Sequence, residues 1–210
     1  MRPVLFCAIL AALVVAANSI SAQTRQPLHP AGLTIVMDFQ GPHSDRSVAA
    51  MKRELEDILK NSGMAFDWRT RAEAGEARYP DLIMVKFKGK CVMEPVGYMY
   101  DERGPLAFTY ASDGVLLPFS EVACDKVTRS IRSAMWGGDF GKADLLLGRA
   151  LGRVVAHEVV HILTQSGEHG QEGVAKTSLS GSQLIASELP LSPADLARIF
   201  APKVTAQSPQ

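Results

Sequence analysis

Runs of apolar and β-branched residues, separated by polar and glycine-rich stretches, predict several strands in the first half of the chain. The three clearest strands are expected at 33–39, 65–69 and 81–88. Between the first two, apolar residues recur at every third or fourth position, which is typical of a helix that buries one face. Ser44 or Asp45 can cap this helix, which we expect to run to about Lys60. Residues 73–78 are expected to form a loop.

A β-hairpin is predicted around Ser112-Asp113-Gly114, because apolar runs at 106–110 and 115–119 flank this tripeptide. The Asp-Gly pair favours a tight turn, since such turns need positive φ angles. The segment before the hairpin, 89–105, is irregular and rich in glycine, proline, methionine and tyrosine. We expect it to form a packed loop; the alternative is that its large side chains contact a substrate. These side chains are Met93, Tyr98, Met99 and Tyr100.

The second half of the chain is predicted to be mostly helical. Its strongest helical pattern covers 143–163, where apolar residues form one broad face. Gly148 and Gly152 would let this helix pack closely against a sheet, and Gly167 is a natural place for it to stop. Other elements are short helices at 126–135, 182–188 and 193–200, a loop at 136–141 and a polar tail after Pro202. The pattern therefore predicts an α+β fold, with a long helix packed on a mixed sheet.

The first 22 residues have the layout of a secretory signal peptide. Arg2 precedes an apolar stretch over 4–17, and small residues follow as far as Ala22. The apolar stretch is shorter than the roughly 20 residues that a membrane-spanning helix needs. We therefore expect a cleaved leader, no stable membrane anchor after cleavage, and a secreted or periplasmic location. The predicted organisation is a signal peptide at 1–22 and a single domain at 23–210, with its core at about 33–200.

The charge balance bears on the class of partner. The chain has 22 basic and 22 acidic residues, so its formal net charge is zero. Such a balance gives no general electrostatic attraction to nucleic acid or to anionic lipid. We therefore expect no nucleic-acid partner.

Two cysteines, Cys91 and Cys124, remain once the leader with its own cysteine is set aside. In an oxidising compartment, two cysteines more often form a disulfide than a reactive site. We therefore expect a Cys91–Cys124 disulfide. A thiolate that binds a metal is the alternative.

The long helix carries the candidate chemistry, the sequence His157-Glu158-Val159-Val160-His161. Histidines four residues apart project from the same face of a helix, one turn apart, so both imidazoles can bind one cation. Glu158 lies about 100° around the helix axis from His157. It can therefore stand beside a metal without binding it, and can move a proton to and from a water molecule.

A third ligand is needed if the metal is to keep one position open for water. His169 is the best candidate, because three of the five histidines of the chain fall within residues 157–169. A sharp reversal at Gly167 could fold His169 back towards the helical pair. The alternatives for this ligand are Glu168, Glu172 and Glu188.

The stretch from His157 to His169 resembles the active-site helix of zincin metalloproteases. It looks most like a metzincin, in which a third histidine follows the helix after a glycine turn. The segment 148–176 also resembles predicted secreted bacterial zinc proteases. The resemblance implies a zincin-like fold, Zn²⁺ as the cofactor, Glu158 as general base and a peptide or protein as substrate. It thus implies a secreted zinc metalloendopeptidase.

The sequence departs from the metzincin pattern in three places. His169 comes two residues later than the usual third histidine, no methionine follows Met135, and the last tyrosine is Tyr110. Metzincins have a methionine turn beneath the metal, and some have a tyrosine beside it. Two alternatives therefore stay open: a non-catalytic zinc-binding module that retains the metal site, and a zinc hydrolase of a non-peptide amide. If a strand of the hairpin lies at the sheet edge, it could align a peptide through backbone hydrogen bonds.

Overall fold

A five-stranded mixed sheet organises residues 32–93 and 104–201, the part of the chain that this computed structural model describes. The strands are β1 (Leu33–Phe39), β2 (Phe66–Thr70), β3 (Leu82–Lys88), β4 (Ala107–Ser112) and β5 (Val115–Ala123). Their order across the sheet is β2-β1-β3-β5-β4. The first four strands in this order run parallel, whereas β4 and β5 form an antiparallel hairpin. The hairpin thus places β4 at one edge of the sheet.

Six helices accompany the sheet in the described part of the chain. They are α1 (Asp45–Leu59), α2 (Arg71–Ala74), α3 (Cys124–Arg132), α4 (Ala143–Thr164), α5 (Gly181–Ile185) and α6 (Pro193–Phe200). Short 3₁₀ turns occur at Lys60–Ser62, Gly137–Lys142 and Gly173–Ala175. The predicted α+β class, with a long helix on a mixed sheet, is confirmed. No helix within residues 32–93 and 104–201 has the length and apolar character needed to cross a membrane.

Helix α4 is the centre of the fold, which explains its composition. Nearly every residue from Leu146 to Leu163 is buried, because α4 packs against α1, against the β4–β5 hairpin and against α3, α5 and α6. A helix surrounded in this way needs apolar residues on all sides rather than on one stripe. The polar residues that α4 keeps inside the protein, His161 and Glu158 among them, must therefore have partners.

Gly148 and Gly152 of α4 pack against helix α1, so the prediction that they pack against the sheet is wrong. A methyl group on Gly148 would overlap the Ser47 carbonyl and Ala50, and one on Gly152 would overlap Glu54. All three of these neighbours belong to α1. The glycines let the α1 and α4 backbones approach closely, which brings Glu54 to Arg153 of α4.

Arg153 is a charged side chain with no exposed surface. Its Nε donates to Glu54 Oε1 over 2.7 Å, and its Nη1 donates to the Gln183 carbonyl over 2.6 Å. A buried guanidinium is tolerated only when it is paired and hydrogen-bonded. The ion pair therefore joins α1 to α4, and the bond to the Gln183 carbonyl joins α4 to α5.

Most predicted element bounds lie within three residues of those observed, but β5, whose apolar run was expected to end at 119, continues to Ala123, and two expected loops contain short helical turns. Residues 73–78 were expected to be a loop, but α2 extends to Ala74 because Thr70 and Glu73 form a capping box. The expected loop at 136–141 contains a 3₁₀ turn, in which the Asp139 carboxylate accepts a hydrogen bond from the Trp136 N–H. The predicted leader, the tail after Pro202 and the Tyr98–Tyr100 segment lie outside the described residues.

The predicted disulfide between Cys91 and Cys124 is confirmed. It links the segment after β3 to the first residue of α3, and both cysteines are buried in the core. The two residues are separated by 33 positions. The bond therefore closes the part of the chain that includes β4 and β5.

Replacing both cysteines with alanine should lower the free energy of unfolding by about 3–4 kcal/mol, because the unfolded chain regains the freedom of the closed loop. Urea denaturation of the two proteins under non-reducing conditions measures this difference. A reducing agent should destabilise the wild type and leave the double variant unchanged. Equal midpoints for wild type and variant would refute a stabilising role for the bond.

Candidate metal centre

Helix α4 carries His157, Glu158 and His161, which line one cleft. The two histidines lie one turn apart on the helix, as their spacing predicts. Their ring centroids are 4.7 Å apart, and the ring planes are inclined by 76°. Glu158 is only 5% exposed and faces β4, where the hydroxyl of Thr109 donates to its carboxylate. The helix thus places two imidazoles and one carboxylate at the same surface.

His169 is brought to this pair by a reversal of the chain directly after α4. The helix ends at Thr164, and Gln165 takes a left-handed conformation with φ 51° and ψ 38°. The reversal therefore occurs at Gln165, and the prediction that Gly167 makes it is wrong. A left-handed residue at this position lets the next N–H groups bond to the last helical carbonyls; the Ser166 N–H bonds to the His161 carbonyl. The His169 ring centroid then lies 5.1 Å from that of His157 and 4.9 Å from that of His161.

Two backbone carbonyls fix the orientation of the helical histidines. His157 Nδ1 lies 2.9 Å from the Val174 carbonyl, and His161 Nδ1 lies 2.7 Å from the Ser166 carbonyl. A carbonyl only accepts hydrogen bonds, so each Nδ1 carries the proton and each Nε2 keeps a lone pair. These two Nε2 atoms are 3.0 Å apart. Facing lone pairs at this distance repel each other unless they share a cation or a proton.

The three histidines could hold a metal ion. One ligand atom from each lies within 4.8 Å of the other two. Three nitrogens at about 2.0–2.1 Å from a tetrahedral Zn²⁺ stand about 3.3 Å apart, close to the separation of the two helical Nε2 atoms. The Nδ1–carbonyl bonds are also the usual outer support of metal-binding histidines. The residues present therefore fit a metal such as zinc.

The acidic alternatives for the third ligand do not join this cluster. Among the described residues, Glu168, Glu172 and Glu188 are exposed and lie outside the group of converging ligand atoms. The cysteines are joined to each other, so neither offers a thiolate to a metal.

Burial sets the protonation of the site. It lowers the pKa of His157 to about 4, an effect that the Val174 carbonyl opposes and the neighbouring histidines reinforce. Burial also lowers the pKa of His169, with His161 and Arg198 acting in the same direction. These rings are therefore neutral near pH 7, the form that binds a metal. Burial raises the pKa of Glu158, while the hydrogen bond from Thr109 acts in the opposite direction.

A cleft of about 610 Å³ opens over the three histidines. One wall is the chain from Gly104 to Thr109, which includes the start of edge strand β4. The segment from Lys176 to Leu179 also lines the cleft, as do Val154, His157, Glu158 and His161 of α4. The cleft could therefore admit an extended chain segment to the histidines and to Glu158.

Helix α6 supports the loop that carries His169. Arg198 donates through Nη1 to Asp195 Oδ1 over 3.2 Å and through Nη2 to Ser166 Oγ over 3.3 Å. Asp195 is 2% exposed and packs against Gly170, where any side chain would overlap its carboxylate. Ser166 is also the residue whose carbonyl orients His161. The Asp195–Arg198 pair thus holds both ends of the loop between α4 and His169.

Replacing Arg198 with alanine should weaken Zn²⁺ binding about 10-fold, because residues that support metal ligands typically contribute 10–100-fold to metal affinity. Competition with a chromophoric chelator measures this affinity. Lys60→Ala is the matched control, since Lys60 is an exposed cation at the end of α1. If the Arg198 variant binds Zn²⁺ as tightly as the Lys60 variant, α6 does not support the site.

The three histidines and Glu158 were predicted from the sequence, whereas the residues that support them were not. Thr109 and Ser120 had a usable signal, because both are polar residues at inward-facing positions of their strands. Arg198 and Asp195 had none, since their contacts with the His169 loop depend on the packing of α6. No family model matches this sequence, and no curated protein matches it either.

Proposed function

We propose that this protein is a secreted or periplasmic zinc metallopeptidase of the zincin type. The observation that carries the proposal is the convergence of His157, His161 and His169 beside Glu158, within a cleft that an edge strand borders. Glu158 is one residue from His157 but points to Thr109 rather than into the ligand cluster. This is the arrangement that metal-assisted hydrolysis needs, with three protein ligands and a separate base.

The chemistry divides between the ligand cluster and the carboxylate. Zn²⁺ held by the three imidazoles would polarise a carbonyl and make a water molecule more acidic. Glu158 accepts the proton of the attacking water and donates it to the leaving amine. Its raised pKa suits this exchange, because a carboxyl group that titrates closer to neutral pH can both take up and release a proton.

An extended peptide is the proposed substrate. Strand β4 lies at one edge of the sheet, and within the described residues only β5 pairs with it. A peptide that adds to the free side of β4 would gain backbone hydrogen bonds and would run along the cleft. The disulfide fits the proposed oxidising compartment, in line with the predicted leader.

The experiment that tests the proposal is digestion of a peptide library by the zinc-loaded mature protein, with the products identified by mass spectrometry. Bound zinc is measured in the same preparation. We expect about one zinc per chain and cleavage that a strong chelator abolishes and added Zn²⁺ restores. Stoichiometric zinc without cleavage would favour the non-catalytic zinc-binding module. Cleavage restricted to non-peptide amides would favour the zinc hydrolase of a non-peptide amide.

A further inference from the structure

Two hydroxyl side chains interrupt the apolar face of the sheet that α4 covers. Thr109 of β4 and Ser120 of β5 are direct cross-strand partners. Ser120 is 1% exposed, and Val122, two residues further along the same face of β5, is fully buried. A buried hydroxyl on such a face costs free energy unless it is hydrogen-bonded.

The two hydroxyls form a chain of hydrogen bonds that ends on Glu158. Thr109 Oγ1 lies 2.7 Å from Glu158 Oε2 and 2.9 Å from Ser120 Oγ. An ionised carboxylate can only accept, so Thr109 donates to Glu158. Its single proton is then used, and Ser120 must donate to Thr109. The direction of the chain is therefore Ser120 to Thr109 to Glu158.

We propose that Thr109, supported by Ser120, is a positioning residue that holds the Glu158 carboxylate in place for proton transfer. The bond fixes Oε2 against the sheet and leaves Oε1 for the proton of the attacking water. This inference rests on the proposed hydrolytic function. A positioned base matters because a misplacement of about 1 Å can reduce the rate about 100-fold.

A purely structural role makes a different prediction. Cross-strand Thr–Ser pairs also stabilise sheets. If Thr109 served only the sheet, an isosteric valine on this apolar face would leave the orientation of Glu158 and turnover unchanged. If Thr109 positions Glu158, valine removes the hydrogen-bond donor to an almost fully buried carboxylate. The orientation of Glu158 and the turnover should then both change.

The test compares Thr109→Val, Thr109→Ser and Ser120→Ala in the zinc-loaded protein. The valine variant should lower kcat by about 10- to 100-fold, with KM within about twofold of wild type and zinc content unchanged. Serine keeps the donor and should restore kcat to within about threefold of wild type. Ser120→Ala should have a smaller effect of about three- to fivefold. Thr128→Val is the matched control, because the Thr128 hydroxyl is buried on α3 and has no hydrogen-bond partner among the described residues.

Crystal structures of the wild type and of Thr109→Val provide a readout that does not depend on activity. We expect the Glu158 carboxylate to leave its wild-type position in the valine variant. An unmoved carboxylate, or an unchanged kcat, would overturn the positioning role. A carboxylate that moves in a protein whose wild type cleaves no substrate would support the positioning of Glu158 and refute the proposed hydrolysis.

Discussion

Glu158→Gln should reduce peptide hydrolysis by about 10³-fold while zinc remains bound. Glutamine has the shape of glutamate, and its amide oxygen can still accept the hydrogen bond from Thr109. It cannot take a proton from water at neutral pH, so the general-base contribution of about 10²- to 10⁴-fold is lost. Steady-state kinetics on a peptide found in the library digest measure kcat, and metal analysis of the same sample measures bound zinc.

Glu172→Gln is the control for this substitution. Glu172 is an exposed glutamate shortly after His169 in the sequence, and it lies outside the ligand cluster. Its turnover should match that of the wild type. Unchanged turnover in the Glu158 variant would rule out the proposed base. Loss of zinc from that variant would show instead that the carboxylate supports the metal centre itself.

The parts of the fold that the sequence predicts well are those whose signal is local. Strand β3 alternates buried and partly exposed residues, and α1 carries a Ser44 cap that accepts from the Ser47 N–H. The Asp113-Gly114 turn has the two positive φ angles that its residues favour. Each of these features depends on a few neighbouring residues.

Other features depend on contacts between distant segments. The closeness of α1 and α4 depends on Gly148 and Gly152, whose partner could not be chosen from the sequence because glycine suits any close approach. The end of α4 was predicted to within one residue, but the reversal after it was expected at Gly167, because glycine is the usual left-handed residue after a helix, whereas Gln165 takes that conformation here. The side chain of Gln165 bonds to the Leu116 carbonyl, a contact with the hairpin 49 positions away.

The candidate site likewise contains residues with a local sequence signal and residues whose roles depend on contacts between distant segments. His157, Glu158 and His161 follow from helical spacing alone, and His169 is close enough in sequence to be foreseen. Thr109, Ser120 and Arg198 belong to other elements, and only tertiary packing brings them to the site. The candidate metal ligands are therefore predictable here from a short motif. The inward-facing polar positions of Thr109 and Ser120 gave a weaker signal, and Arg198 gave none.

His169→Ala should weaken Zn²⁺ binding by about 10²- to 10³-fold, because it removes one of three protein ligands. Structural zinc sites with four ligands bind with about 10–16 kcal/mol, so a single ligand contributes about 2.5–4 kcal/mol. That loss corresponds to about two to three orders of magnitude in Kd. Competition with chelators of graded affinity measures Kd for the wild type and the variant at one fixed pH.

The controls for this variant distinguish the ligands that the sequence left open. His43→Ala removes an imidazole that stacks on Phe39, outside the ligand cluster, and should leave Kd unchanged. Glu172→Ala and Glu188→Ala should also leave it unchanged, because both carboxylates lie outside the cluster.

If His169→Ala binds Zn²⁺ as the wild type does and one glutamate variant does not, that glutamate is the third ligand. The reversal at Gln165 would then shape the loop without positioning a metal ligand. The contact between Arg198 and Ser166 would affect the metal centre only by orienting His161 through the Ser166 carbonyl.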